Sequence, residues 1–376
     1  MPDPETASES ASSESVNEPI EELRYSELVP PFNDDLWLDR LVRPLGFGWL
    51  SDRLPGDIPP SYIYAVIMVV TLPTIIGGHG IIEKGDQAFY IQNPLAVLQP
   101  LGIMAAVFGA RSLRAKYHRV LYEMNIEERT ANPTHFTNII PKWLPWIFVG
   151  LLVTANYTQV ALRGGPLGIY RESGLSAMLG WTVANPIWTT MTVQFAVVYI
   201  GIVFVAPWRL WKSDVGIDFY DPEGLGGLRP IGELVKHAYY YAVVGLIAYA
   251  LVLYGPIVSA PGWEVATGTS LIFTVVWLGA VATVAFAVFV LHRFMHREKR
   301  EELHRLRMLE QKRIDTPWDG NSYSPQESDD DVVDDLRQQM DRVSSTNEYP
   351  ATFSIWSQLL LSIILPKASQ LLIAGL

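Results

Sequence analysis

Seven apolar runs, each about as long as a membrane-spanning helix, divide the chain of 376 residues. A spanning α-helix needs about 20 residues, and backbone amides in hydrocarbon must pair within their own segment, so each run is predicted to be helical. The pattern predicts an all-α, polytopic membrane protein with seven transmembrane helices. The runs are Tyr62–Ile82, Pro94–Ala110, Trp143–Leu162, Ile187–Trp208, His237–Val258, Gly268–Leu291 and Phe353–Leu376.

Lysine and arginine are concentrated in alternate connections between these runs. The segments 1–61, 111–142, 209–236 and 292–313 hold 22 of them, whereas the opposite connections hold three. Basic residues are retained on the cytoplasmic side of a membrane. We therefore predict a multi-pass protein of the cell membrane, with a cytoplasmic amino terminus and the carboxyl terminus outside.

Five parts follow from the distribution of charge and apolar residues. Residues 1–32 are predicted to be a disordered acidic arm and residues 315–352 an acidic, mostly disordered linker, because low hydrophobicity with high charge opposes folding. Residues 33–58 have apolar side chains at helical spacing, which predicts an amphipathic segment on the inner membrane surface or, alternatively, packed on the cytoplasmic ends of the bundle. Residues 59–314 form the six-helix bundle with cytoplasmic helical extensions, and 353–376 the seventh helix.

The composition excludes several kinds of chemistry. The chain has 39 acidic and 28 basic residues, a net charge of −11 and no cysteine. Without cysteine it has no disulfides, thiolate catalysis or thiolate metal sites. Acidic tails that salt can screen are typical of a halophilic archaeon, which we predict as the source. We predict no cofactor and no nucleic-acid partner.

Two helices are predicted to continue beyond the membrane. The sequence after Ala110 lacks glycine and proline as far as Arg129, and Gly268 to about Arg313 contains no helix breaker except Gly279. Leu303, Leu306 and Leu309 give the second extension an apolar edge. This edge predicts packing in a cytoplasmic bundle or against another subunit, and the alternative is a solvated charged helix.

The last run has one polar face. Ser354, Gln358 and Ser362 recur every four residues, and Ser369 falls on the same arc of an ideal helix. Polar side chains in a membrane helix face protein or water rather than lipid. These four residues are therefore candidates for lining a pore, and the alternative is hydrogen bonding to neighbouring helices.

Further polar residues lie within the third and fourth runs. Thr154 with Thr158, and Thr190 with Gln194, are spaced four apart and are predicted to face the bundle interior. The first six runs contain no aspartate or glutamate. Proton-coupled transport usually uses buried titratable groups, so an alternative function as a transporter would be one not coupled to protons.

The fourth connection, FYDPEGLGGLRPIGEL, carries turn-forming residues. Asp221, Gly226 and Gly227 predict tight turns, and the segment lacks a phosphate-binding GK[ST] motif. We predict a compact cytoplasmic turn. The alternative is a coupling loop that binds an anionic ligand through Arg229.

The spacing of His292 and His296 is the only pattern with a catalytic appearance. Two imidazoles four residues apart on a helix could share a metal, which leaves a metal-dependent membrane enzyme as a second alternative function. The single HRFMH motif supplies too few ligands for the clustered histidines such enzymes need, and Arg293 and Arg297 oppose a cation. We therefore predict no metal site and no enzymatic activity.

Two connections on the predicted outer side are long enough to form a cap. Arg163–Pro186 is rich in glycine and includes Trp181, and His79–Asn93 is the first outer connection. Together they are predicted to cover an external cavity that could capture a ligand.

These features resemble the insect odorant and gustatory receptor superfamily of seven-transmembrane ion channels. The resemblance covers the architecture rather than a specific motif: seven crossings, an inward amino terminus, helices extended into the cytoplasm and a short final helix with a polar face. It implies a homo-oligomer, possibly a tetramer, joined by its cytoplasmic helices, with the last helix lining the pore. The predicted function is thus an oligomeric channel-like or receptor-like protein that binds a small ligand or ion and has the lipid bilayer as its environment.

Overall fold

The computed structural model describes residues 36–137, 139–254, 267–313 and 330–349, together with Ile364 and Ala368. This part of the chain folds into helices and connecting turns, without a strand. The helices are α1 (Trp37–Val42), α2 (Phe47–Arg53), α3 (Pro60–Lys84), α4 (Phe89–Gln92), α5 (Leu98–Glu123), α6 (Ile126–Arg129), α7 (Thr134–Thr137), α8 (Leu144–Leu162), α9 (Gly165–Leu179), α10 (Asn185–Ile200), α11 (Ala206–Lys212), α12 (Arg229–Tyr254), α13 (Thr267–Gln311) and α14 (Asp330–Ser345).

Six helical segments are long and apolar enough to cross a membrane. They overlap the first six predicted runs, although the fourth begins at Gly165, within the predicted outer connection Arg163–Pro186. The all-helical class, with six candidate membrane-spanning helices among the described residues, is confirmed. The arm 1–32 lies outside the described residues, as does the seventh run apart from Ile364 and Ala368. The six segments are Pro60–Lys84, Pro94–Glu123, Leu144–Leu162, Gly165–Lys212, Arg229–Tyr254 and Phe273–Gln311.

Helix α5 is the centre of the bundle, with α10 and α12 as its main neighbours and α3 beside it. We call the end where α3 ends and α5 begins the cavity end, and the opposite end, where α11 ends and α12 begins, the stalk end. The largest apolar cluster lies in the stalk half and includes Tyr117, Ile202, Tyr239 and Phe294 from four different segments. Burial is therefore greatest where α5, α11, α12 and α13 meet.

The fourth candidate span is one composite helix of 48 residues, Gly165–Lys212. Two π-helical turns, Gly180–Ala184 and Gly201–Val205, join α9, α10 and α11. Within α9 the helix is broken at Gly174, where φ is +88°. The carboxylate of Glu83 accepts hydrogen bonds from the backbone N–H groups of Leu175 and Ser176, which lack helical partners after the break.

Helix α13 has 45 residues and is about 68 Å long, so it continues well past its apolar part. The sequence predicts a mostly disordered linker over residues 315–352, whereas the structure has α14 within it, packed on α13. Leu336, Met340 and Val343 recur at helical spacing and cover Leu303 and Leu306. The stripe is difficult to recognise from the sequence because acidic residues surround it. Burial of the stripe stabilises a helix that would be only marginally stable alone. Leu309, the third residue of the predicted edge, remains 39% exposed.

Helix α1 is packed into the bundle instead of lying on its surface. Leu38 and Val42 are fully buried in a cluster with side chains of α3, α5 and α10. For α1 the structure therefore favours the alternative of packing on the bundle, whereas Trp49 of α2 is 59% exposed.

A buried ion pair holds α1 in place. Asp39 is fully buried and accepts hydrogen bonds from Arg111 at 2.5 Å, from the backbone N–H of Ser61 at 3.0 Å and from the backbone N–H of Leu36 at 2.8 Å. Arg111 is 3% exposed. One carboxylate thus joins the starts of α1 and α3 to the middle of α5.

Replacing Asp39 by asparagine should destabilise the fold strongly. Asp39→Asn removes the negative charge but leaves Arg111 buried, and breaking a buried pair in this way typically costs about 3 to 5 kcal/mol. Thermal unfolding of the detergent-solubilised protein measures the effect. Asp52→Asn, at an exposed position of α2, is the matched control and should unfold as the native chain does; equal unfolding of both variants would contradict the role assigned to the pair.

Candidate functional site

The pore-lining candidates Ser354, Gln358, Ser362 and Ser369 lie outside the described residues. Their placement on the last helix therefore stays a prediction. The other candidates, in α8, α10, the fourth connection and α13, are all described.

Only one member of the two predicted polar pairs is buried. Gln194 is 3% exposed, and its side-chain oxygen accepts a hydrogen bond from the backbone N–H of Leu38 at 3.2 Å. Thr190 is half-buried and donates to the carbonyl of Ile187 in its own helix. Thr154 and Thr158 are exposed among the described residues, and Thr158 donates to the carbonyl of Thr154. The hydroxyl of Thr158 is thus satisfied within its own helix. The predicted interior shared with the last helix stays a prediction for this pair, because that helix lies outside the described residues.

The fourth connection is a compact turn organised by Asp221. Its carboxylate accepts backbone hydrogen bonds from Glu223, Leu225 and Gly227. Burial opposes ionisation of Asp221, but these three donors outweigh it, and the pKa of the carboxyl lies below its ordinary value. The side chain of Asp221 therefore has a structural role: it holds the turn together.

Glycines 226 and 227 let Arg129 approach this turn. Both have positive φ, +66° and +68°. A Cβ atom on Gly227 would lie 2.3 Å from a guanidinium nitrogen of Arg129, whose other nitrogen donates to the carbonyl of Gly226. The glycines are therefore explained by packing.

Arg229, the candidate anion-binding residue of this loop, is already held by two carboxylates. It contacts Glu223 closely and bonds Glu233 at 3.1 Å. These contacts favour the compact turn over the alternative of anion binding by Arg229.

The two histidines on α13 bind the chain that follows α14. The Nδ1 atom of His292 lies 3.0 Å from the carbonyl oxygen of Glu348, and that of His296 lies 2.8 Å from the Glu348 carboxylate. The ring of His292 stacks on Tyr349 at 4.3 Å, and Lys299 donates to the carbonyl of Thr346. We call the contact of His292 and His296 with Glu348 the His–Glu clasp. Among the described residues, no three or more His, Asp or Glu side chains are grouped to hold a metal.

The charge of Glu348 depends on its surroundings in the clasp. Burial opposes its ionisation, but the hydrogen bond from His296, together with the positive charges of His296 and Lys299, outweighs burial and lowers its pKa below the ordinary value. The clasp is therefore strongest when this carboxylate is ionised.

A cavity of about 520 Å³ lies at the cavity end of the bundle. Residues of α3, α4, the start of α5 and the composite helix line it, and they come mainly from the two connections predicted to form a cap. The lining residues include Gly80, Lys84, Tyr90, Ser176, Trp181 and Trp188. The half-buried wall on the composite helix is held from α8, because Asn156 and Tyr157 donate to the carbonyls of Trp181 and Thr182.

A close approach of Tyr90 to α3 and a buried tryptophan shape the cavity. A Cβ atom on Gly77 would lie 2.9 Å from the ring of Tyr90, so this glycine lets Tyr90 pack directly on α3. Trp188 is 8% exposed, and its indole N–H has no hydrogen-bond partner among the described residues. The sequence alone does not single out Trp188, because a tryptophan inside an apolar run can equally line a cavity or contact lipid.

Alanine at position 227 should destabilise the turn. Gly227→Ala places a side chain at a left-handed backbone conformation, which costs about 1 to 2 kcal/mol, and against the guanidinium of Arg129. Thermal unfolding measures the loss. Gly216→Ala is the control in the same connection, since a Cβ atom there meets nothing within 4 Å; similar losses in both variants would refute the packing explanation.

Acid should weaken the His–Glu clasp through Glu348. A lowered folded-state pKa gives stabilisation that is present above the ordinary carboxyl pKa and is lost as the pH falls through the folded-state value. Spin labels on cysteines introduced at Arg300 and Ser345 would report the distance between α13 and the end of α14. The distance distribution should broaden on acidification, and Glu348→Gln should already be broad at neutral pH. Glu301→Gln, on an exposed face of α13, should keep the native acid response; a Glu348→Gln protein that stays narrow at neutral pH would contradict the prediction.

Comparisons of the chain with protein-family models, with curated proteins and with solved structures give no significant match.

Proposed function

We propose that the protein is an oligomeric, receptor-like or channel-like membrane protein that binds a small molecule in the cavity at one end of its bundle. The observation that carries this proposal is the cavity itself, about 520 Å³ between α3, α4 and the composite helix. Small-molecule sites commonly have volumes of about 300 to 1,000 Å³, are mainly apolar and contain a few polar groups. This cavity has that size and composition.

The distribution of basic residues supports an outward-facing cavity. The stalk end carries Arg209, Lys212, Arg229 and the basic part of α13, and it is the end that the positive-inside rule assigns to the cytoplasm. The cavity end would then face the outside of the cell membrane. A ligand could reach the site without crossing the bilayer.

The His–Glu clasp supports a connection between the bundle and the last run. It holds residues 346–349 on α13, and the predicted last helix begins at Phe353, a few residues later. The described residues that precede the predicted last helix are therefore held on α13. In the proposed homo-oligomer, possibly a tetramer, the final helices with Ser354, Gln358 and Ser362 line the permeation path.

A cysteine introduced in place of Ser176 tests the cavity and its orientation. Ser176 lines the cavity, and the native chain contains no cysteine, so the introduced thiol is the only one in the protein. Ser176→Cys should react with a membrane-impermeant thiol reagent on intact cells, because the proposed cavity faces outwards and admits water. Mass spectrometry of the purified protein measures the labelled fraction.

Two further substitutions serve as controls for this experiment. Met191→Cys, at a fully buried position of α10, should remain unlabelled in every condition. Ser344→Cys, at an exposed position of α14, should be labelled only after the cells are permeabilised. Labelling of the Ser176→Cys protein only after permeabilisation would reverse the orientation, and no labelling in either condition would exclude an accessible cavity.

Cysteines in the last run test the permeation path. Ser354→Cys, Gln358→Cys and Ser362→Cys should react rapidly with a water-soluble thiol reagent, and the reaction should reduce the current that the protein conducts across a planar bilayer. Ile355→Cys and Leu359→Cys, on other faces of the same helix, should react slowly because lipid or protein surrounds them. Complete protection of the three polar positions, or saturable uptake without single-channel currents, would count against a channel.

A further inference from the structure

The chemistry of the cavity wall restricts the ligand. Lys84 is the only charged residue that lines the cavity, and it forms no ion pair within the described part of the chain. The nearest carboxylate in sequence, that of Glu83, does not line the cavity and is bound by the backbone N–H groups of Leu175 and Ser176. The cavity therefore presents one positive charge without a negative counterpart.

Trp188 forms the most buried part of the same wall. It is more than nine-tenths buried, and its side chain lines the cavity. Its indole nitrogen is enclosed by protein, so Trp188 offers a ligand the face or edge of its ring rather than a hydrogen-bond donor.

The remainder of the wall favours a flat apolar body. Phe89, Tyr90, Trp181 and Trp188 line the cavity together with glycine and alanine positions. Aromatic rings pack well against other aromatic rings, in stacked or edge-to-face geometry. Arg163 lies over Trp181, 4.5 Å from the centre of the ring, and adds a second cation near this wall.

Resting on the function proposed above, we propose that the cavity binds a small aromatic monocarboxylate, with its carboxylate at Lys84 and its ring against Trp181 and Trp188. A cationic ligand would meet the Lys84 ammonium and find no carboxylate on the wall. A second carboxylate on the ligand would have to lie against the apolar part of the wall, away from Lys84, where its desolvation is costly. A single negative charge on an aromatic body matches the one lining cation and the rings.

Three probes of similar shape and different charge test the ligand class. We would measure the binding of 2-naphthoate, 2-naphthamide and 2-naphthylmethylammonium to the full-length protein in lipid nanodiscs by isothermal titration calorimetry. The naphthoate should bind about two- to fivefold more tightly than the amide, as expected for a carboxylate at a solvent-exposed lysine, and the ammonium most weakly. Alkylation of the Ser176→Cys protein with a bulky thiol reagent should abolish binding of the naphthoate, which places it in the cavity.

Variants separate the charge at Lys84 from the ring of Trp188. Lys84→Met should remove the preference for the naphthoate over the amide, whereas Lys84→Arg should keep it. Trp188→Ala removes aromatic contact area that all the probes share, so it should weaken the naphthoate and the amide by a similar factor, about tenfold. Lys142→Met, at an exposed position near the stalk end, should bind all three probes as the native chain does.

The outcomes distinguish the ligand class from the function on which it rests. Equal binding of the three probes, or an unchanged preference in Lys84→Met, would overturn the monocarboxylate and leave a binding cavity in place. If none of the probes binds although the Ser176→Cys protein is labelled on intact cells, the ligand class alone would likewise be overturned. Absence of both probe binding and labelling at position 176 would overturn the proposed function as well.

Discussion

The carboxylate of Asp39 is the contact on which the arrangement of the bundle depends. Arg111 follows the second apolar run at once, and its charge is buried where α5 passes between its neighbours. A buried guanidinium is tolerated only with a partner of opposite charge and with its hydrogen bonds made. Asp39 supplies that charge and also accepts the backbone N–H of Ser61 at the start of α3. The bundle is thereby closed at its stalk half by a six-residue helix that would not be stable alone.

The same helix determines the position of α10. Gln194 accepts a hydrogen bond from the backbone N–H of Leu38, so α1 is bonded to both α5 and the composite helix.

The helices themselves follow from local composition, and for this reason they could be predicted: α13 is expected from Gly268 to about Arg313 and is found at Thr267–Gln311. The pairing of Asp39 with Arg111 could not be predicted, because the two residues are 72 positions apart and both stand in segments whose charge suggests solvent. Helix α14 was missed for a related reason, since its acidic residues outnumber the apolar stripe that covers Leu306.

Helical spacing predicts which residues share a face, but it does not determine what that face meets. Thr154 and Thr158 have the same spacing as Thr190 and Gln194, yet among the described residues only Gln194 is buried, where it accepts a hydrogen bond from the backbone N–H of Leu38. The cavity shows the same limit. Its cap could be predicted from two glycine-rich or polar connections, whereas Trp188 belongs to an apolar run and reaches the cavity only through the packing of α10 against α3 and α5.

The composite helix runs from the cavity to the stalk end, and its two π-helical turns determine how its segments are rotated relative to one another. A π-helical turn contains an extra residue, and its conversion to α-helix would rotate the following segment by about 100°. The first π turn includes Trp181 of the cavity wall, and its carbonyl is held by Asn156. The second includes Phe204, which stacks on Phe286 of α13 at 4.3 Å. Between them, Gln194 holds α10 to α1, so a rotation that began at Trp181 would have to break this bond before it reached α13. The composite helix is therefore held at three positions, Trp181, Gln194 and Phe204. If a ligand moved Trp181, the effect on the stalk would depend on which of these three contacts broke first.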